Sequence, residues 1–250
     1  MKSWGAQLLS GLIAVFSSAS ASATVIDFEH INMTSTPSAP VLSTGDYITQ
    51  GIYTIEMQDI KNVVRPLGLL SNGSHPGSCL NGSCPAGNST NFLSTYNDAL
   101  VHVSRTDGQP LVFGGVSAAY IPPVDAVPAN GLYFAVDVDR ADGSYATYAY
   151  RLPSTGEFTD ITNLPSLFLG GSGTLTTGVV TDLFFYGYYC NVSGSCNAFK
   201  TGKGQFGLDK IVFNDGLSPV SESETSAMLL AGLGLVGAVA RRRQKRARIT

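Results

Sequence analysis

The chain has 250 residues, 44% hydrophobic and 13% charged, with a formal net charge of −3. That charge is uneven: residues 24–218 hold eight Lys and Arg against sixteen Asp and Glu, a net of −8, while six basic residues crowd into the last ten. A body this acidic has no electrostatic footprint for nucleic acid and does not favour an anionic lipid surface, which leaves neutral ligands such as glycans open.

The chain opens on "MKSWGAQLLSGLIAVFSSASASA". Lys2 supplies a small positive start, Leu8 to Phe16 an apolar run, and Ala21-Ser22-Ala23 a small-residue cleavage site. This pattern predicts a secretory signal peptide over residues 1–23, so the body is expected outside the cytoplasm. A buried N-terminal helix is the alternative, and the small-residue run would pack poorly in one.

From residue 24 the sequence reads as β throughout. "TVIDFEHI" and "DYITQGIYTIEMQDI" alternate apolar and polar residues, with Gly51 read as a bulge or bend. Ser71 to Asn91 is rich in Ser, Gly, Asn and Pro and reads as a long exposed loop. "ALVHVSR" and "LVFGGVSAAYI" flank Asp107-Gly108, and "GLYFAVDVDR" and "SYATYAYRL" flank Ala141-Asp142-Gly143; both are hairpin signals. "EFTDIT", "TGVVTDLFFYGYYC" and "FGLDKIVF" complete the set, with no helical period in the body. Short strands separated by turn signals predict an all-β, single β-sandwich or jelly-roll-like domain over residues 24–218.

Four cysteines form two tight pairs, Cys79 with Cys84 and Cys190 with Cys196. Each pair brackets a flexible turn, so local disulfides are the simplest reading; bridges between the two loops, a metal site or free thiols are the alternatives. In the aromatic run of residues 184–189, alternation puts Phe184, Tyr186 and Tyr188 on one face and Phe185 and Tyr189 on the other. One face is core and the other is read as ordinary surface; a sugar-stacking platform or a second layer is the alternative.

The terminal runs "VIDFE" and "LDKIVF" are expected to pair, since each would otherwise leave an apolar edge exposed. Pairing would bring Asp27, Glu29 and Asp209 to one sandwich edge, where oxygen ligands suit a structural Ca²⁺. The alternative is two solvent-facing acids with a buried, hydrogen-bonded Asp209. "GKGQFG" spells G-x-G-x-x-G, but a strand rather than a helix follows it, so no dinucleotide site is expected. "DVDRADG" lacks the acid spacing of an EF-hand and reads as a hairpin. No G-x-S-x-G elbow, H-E-x-x-H or paired-acid motif is present, and His30, His75 and His102 are scattered.

The carboxyl end has fourteen uncharged residues, Ala227 to Ala240, followed by Arg241, Arg242 and Arg243. As a helix this run covers roughly 21 Å of a hydrocarbon core about 30 Å thick, which suits a transient tether. The basic tail, residues 241–250, would stay cytoplasmic. An ordinary tail anchor is the alternative.

"PVSESETSAMLLAGLGLVGAVARRRQKR" resembles a PEP-CTERM sorting signal, the mark of exported proteins of Gram-negative bacteria. Val220, Ser221, Glu222 and Ser223 occupy the places of the family's V-P-E-P core, with serines where the family carries prolines. "GQFGLDKIVF" is similar to the Q-F-x-x-D stretch of one subfamily, through Gln205, Phe206 and Asp209. The resemblance implies an exosortase-type sorting enzyme as partner, transient inner-membrane contact through residues 219–250, and delivery to the envelope or extracellular matrix. The body's strand pattern resembles jelly-roll carbohydrate-binding modules. Together these readings predict an exported, non-enzymatic protein that binds glycan or exopolysaccharide and needs no cofactor beyond a structural Ca²⁺. A jelly-roll glycan-active hydrolase is the alternative.

Overall fold

A computed structural model describes residues 23–31, 40–61, 63–79, 84–122, 132–191 and 193–214. Residues 1–22 of the expected signal peptide and the whole expected sorting segment, 219–250, lie outside these. Fifteen strands run through the described residues: β1 (Thr24–Ile26), β2 (Val41–Ser43), β3 (Tyr47–Gln50), β4 (Tyr53–Gln58), β5 (Pro66–Asn72), β6 (Asn91–Thr95), β7 (Leu100–Arg105) and β8 (Phe113–Tyr120). There follow β9 (Leu132–Arg140), β10 (Tyr145–Arg151), β11 (Thr159–Asp160), β12 (Ser166–Gly171), β13 (Val180–Cys190), β14 (Cys196–Ala198) and β15 (Phe206–Phe213). Two short 3₁₀ turns, Pro76–Ser78 and Ile161–Asn163, are the helical elements described. No described helix is long and apolar enough to cross a membrane.

The strands form two antiparallel sheets. One is ordered β11-β8-β15-β6-β5-β2, with β1 added against β15; the other is ordered β12-β10-β9-β13-β7-β4-β3, with β14 added against β13. The alternating pattern explains why they pack face to face. In β4, Tyr53, Ile55 and Met57 are buried while Thr54, Glu56 and Gln58 point outward. Aromatic pairs then join the sheets: Tyr53 stacks on Phe213 at 4.2 Å, Phe134 meets Phe206 edge-on at 5.2 Å, and Phe113 lies 6.1 Å from Phe185. Each such ring contributes about 1.5–3 kcal/mol by leaving water. The all-β, two-sheet expectation is what the structure has.

The expected pairing of the terminal strands is present, with Thr24, Val25 and Ile26 opposite Phe213, Val212 and Ile211. A bulge in β15 makes it work. Phe206 and Leu208 point into the core, and strict alternation would turn Ile211 and Phe213 outward. Lys210, at φ 49°, sits between the regular stretches and shifts the phase by one residue, so Ile211 and Phe213 are fully buried as well.

Two expectations are corrected. The Asp107-Gly108 turn does not close a hairpin: β7 pairs with β4 and β13 in one sheet, and β8 with β11 and β15 in the other. Asp107 does make the turn, accepting from Arg105 Nη2 at 2.7 Å and from the Gln109 amide at 3.1 Å. Pro110 then offers no N–H for a returning ladder, and the chain crosses between sheets. "DYITQGIYTIEMQDI" is two strands rather than one bent strand. Gln50 pairs with Tyr53 across a two-residue turn, which Gly51 enters at φ 61°.

Candidate functional site

The expected acidic set gathers at a seam in the first sheet. One side of β15 is paired by β6 at Gly207 and Leu208, then by β1 at Ile211 to Phe213. Asp209 falls in the gap between them, only 4% exposed. Its Oδ2 accepts from Asn88 Nδ2 at 3.1 Å and its Oδ1 from the Lys210 amide at 2.8 Å. Burial pushes the Asp209 carboxyl up to about 6; Glu29 and Asp27 add to the rise, and the Lys210 amide and charge oppose it.

Its neighbours are tied in the same way. Asp27 Oδ1 accepts from the Glu29 amide at 3.1 Å and from Gln50 Nε2 at 3.2 Å. Glu29 Oε1 accepts from the Asn91 amide at 2.8 Å, and Asn91 Nδ2 donates to the Phe28 carbonyl at 3.3 Å. Asp27 and Glu29 thus lie near enough to raise the Asp209 carboxyl, and each of the three carboxylates is held by its own protein donors. Among the described residues no group of three or more His, Cys, Asp or Glu is arranged to hold a metal ion. Asp209 is too enclosed to reach a bound substrate, so the set acts as a joint between β1, β6 and β15.

The other motif residues support the same strand. Phe206 is core, and its amide and carbonyl both bond to Thr95 Oγ1, at 3.1 and 3.0 Å. The Gln205 carbonyl accepts from the Ile121 amide at 3.3 Å.

The outer face of the second sheet is a different kind of surface. Phe185 is buried and stacks on Phe134, so Phe184, Tyr186 and Tyr188 face outward, as the alternation required. Tyr188 lies opposite Tyr133 on β9, and Leu167 on β12 lies opposite Ala149 on β10. With Leu169 and Cys196 these residues line an open groove of about 390 Å³. Tyr186, 8% exposed, packs beneath it against Tyr188 and Phe199.

Along the same face the surface turns polar. Phe184 stacks on His102 at 4.7 Å. His102 Nε2 is 2.7 Å from Asp182 Oδ1, and its Nδ1 is 3.3 Å from Glu56 Oε2 and 3.2 Å from Gln58 Nε2. Asp182 lies directly opposite Asp139. Burial raises the Asp139 carboxyl, Asp182 raises it further, and His102 opposes both. Asp137 is also raised, chiefly by burial, with the Thr147 hydroxyl opposing. An apolar aromatic groove thus shares one sheet face with a row of acceptors, of which His102 holds Asp182 and Glu56. Reading the sequence placed Tyr186 and Tyr188 here but missed Tyr133, Leu167, Leu169 and the His102 cluster. The signal available was in "LYFAVDVDR", whose Tyr133, Asp137 and Asp139 share the outward parity.

Both disulfides close locally, Cys79 to Cys84 and Cys190 to Cys196. The glycine-rich run before β15 does bind an anion, but the anion belongs to the chain. Asp98 Oδ2 accepts from the Thr201 and Gly202 amides at 2.8 and 2.6 Å, and its Oδ1 from the Gly204 amide at 2.7 Å. A side chain on Gly204 would collide with the Gly187 carbonyl at 2.6 Å, so this loop packs backbone to backbone on β13. No protein-family model matches the chain, and no curated protein matches it.

Proposed function

We propose that this chain is an exported, non-enzymatic β-sandwich of jelly-roll-like type that binds a neutral glycan or exopolysaccharide on the outer face of its second sheet. The observation that carries the reading is the groove of Tyr133, Tyr188, Leu167 and Leu169 on the same sheet face as Asp137, Asp139, Asp182 and His102. A sugar ring has an apolar C–H face and a rim of hydroxyls. The tyrosines offer the first a flat partner and the carboxylates offer the second acceptors. The acidic body repels polyanions, which favours neutral chains.

The delivery route we infer is a PEP-CTERM-type signal read by an exosortase-type enzyme, after transient tethering in the inner membrane. Support comes from the sequence of residues 219–250 and from two disulfides, which accord with an oxidising compartment.

A glycan-array screen of the exported protein, followed by calorimetric titration, tests the binding reading. Replacing both Tyr133 and Tyr188 by Ala should weaken the best ligand at least tenfold, about 1.4 kcal/mol, without lowering the melting temperature. Unchanged affinity in that variant, or no ligand on the array, would sink the reading.

A hydrolase is the second reading, and the raised pair Asp137 and Asp139 favours it. Alternate residues of a strand are about 6.6 Å apart, close to the spacing inverting glycosidases use. Release of reducing ends by wild type, abolished in Asp139→Asn, would establish it.

A further inference from the structure

Strand β12 ends the second sheet and, among the described residues, pairs only with β10. Its free edge is apolar: Leu167, Phe168 and Leu169 are 54%, 49% and 43% exposed. Other outer strands are short or guarded. β11 is two residues ending in Asp160, β2 is three residues with Ser43 tied to the Asp46 carboxylate at 2.7 Å, and β3 follows Asp46 directly. β12 has six residues, no proline and no charge, and its one irregularity is a bulge at Leu169, where the register on β10 steps from Phe168 to Gly170. Such an edge is a template for another strand.

From the edge strand we infer that two copies of this chain join β12 to β12, antiparallel, about a two-fold axis at Phe168. Two features select a second copy as the occupant. The triplet Leu167-Phe168-Leu169 reads the same in both directions, so antiparallel self-pairing sets Phe168 against Phe168 and Leu167 against Leu169 of the second copy. Like side chains then meet on each face of the joined sheet, with no charge opposed. The second feature is electrostatic. Residues 161–181 contain no Asp, Glu, Lys or Arg, in a body of net charge −8. Two such bodies repel over most of their surface, and this uncharged stretch is where they approach at least cost.

The contact would also have a core beneath it. Phe168 lies 5.2 Å from Tyr148, which packs on the hydrophobic core, so the axis adjoins buried structure rather than a loose flap. Joining the strands would place two Leu167–Leu169 grooves on one continuous face. The inference rests on the edge strand alone and stands whether or not the groove takes a glycan.

Sedimentation equilibrium of the exported protein tests it. Wild type should show a monomer–dimer equilibrium. Phe168→Lys, which sets two ammonium groups against each other at the axis, should raise the dimer dissociation constant at least tenfold with the melting temperature kept. Tyr47→Lys, at the opposite edge of the same sheet, should leave it unchanged. Phe168→Cys should form a disulfide-linked dimer under oxidation, a readout that does not depend on the lysine variant folding. A wild type that stays monomeric at every concentration, or a dimer broken by Tyr47→Lys and not by Phe168→Lys, would overturn the inference.

Discussion

Asp209 shows how one carboxyl can set the pH response of the fold. Its ordinary value is 3.8, and in the folded chain it rises to about 6. Between those values the folded chain keeps a proton that the unfolded chain has released. The contribution of Asp209 to stability is therefore greatest below pH 3.8, falls as pH climbs to about 6, and is flat above, a loss on the order of 3 kcal/mol. Asp209→Asn should remove this slope and melt higher than wild type at neutral pH. Asp209→Ala should cost about 1–3 kcal/mol in acid, because Asn88 Nδ2 and the Lys210 amide lose their acceptor. Thermal melts from acid to neutral pH, with and without chelator, check both; a wild-type melting temperature that drops only with chelator would mean a cation holds the carboxylates instead. The pairing of the terminal strands beside Asp27, Glu29 and Asp209 was legible because two apolar end strands had to cover each other. Asp98 was not, since it acts on main-chain amides 103 to 106 positions away, and amides leave no mark in a sequence.

At the scale of elements, hairpin β9–β10 and the strand phases of β4 and β13 were legible from alternation alone. β5, β6 and β12 were not, because Pro66, Gly68, Asn72, Asn91, Gly170 and Gly171 read as loop residues. Gly68 has a packing reason: a Cβ there would lie 2.8 Å from the Met57 Cε, so the missing side chain makes room for methionine from the facing sheet. The Asp107-Gly108 pair misled because a local turn fixes direction, not the sheet in which the next strand lies. The cysteine pairs were legible from spacing, and their energetic role follows from loop length. Cys190 and Cys196 are opposite partners where β14 folds back on β13. Closing so short a loop removes little chain entropy, so replacing either pair by alanine should cost about 2 kcal/mol in chemical denaturation. A loss of 4 kcal/mol or more would mean the bridge holds distant structure.

For the whole molecule, the described residues build the sandwich, and the proposed delivery route rests on the sequence of the ends outside them. Replacing Arg241, Arg242 and Arg243 by Gln should remove the cytoplasmic stop, leaving uncleaved or misplaced protein in fractionated cells. Unchanged processing would remove the sorting proposal and leave the sandwich untouched. The sandwich architecture was legible because fold class needs only period and turn spacing. The outer groove was not, because it joins β9, β10, β12, β13 and β14, and only sheet order brings them together. That order has a temporal side. β15, the last strand, lies in the middle of the first sheet, with β8 on one flank and β6 and β1 on the other. A chain emerging amino end first leaves those flanks unjoined until residue 213 is free, and the closing pair, Thr24 with Phe213, spans nearly the whole body. Closure of this kind is slow, since a long loop must be ordered before any pairing rewards it. The delay keeps both flanks of β15 open until the last strand is in place.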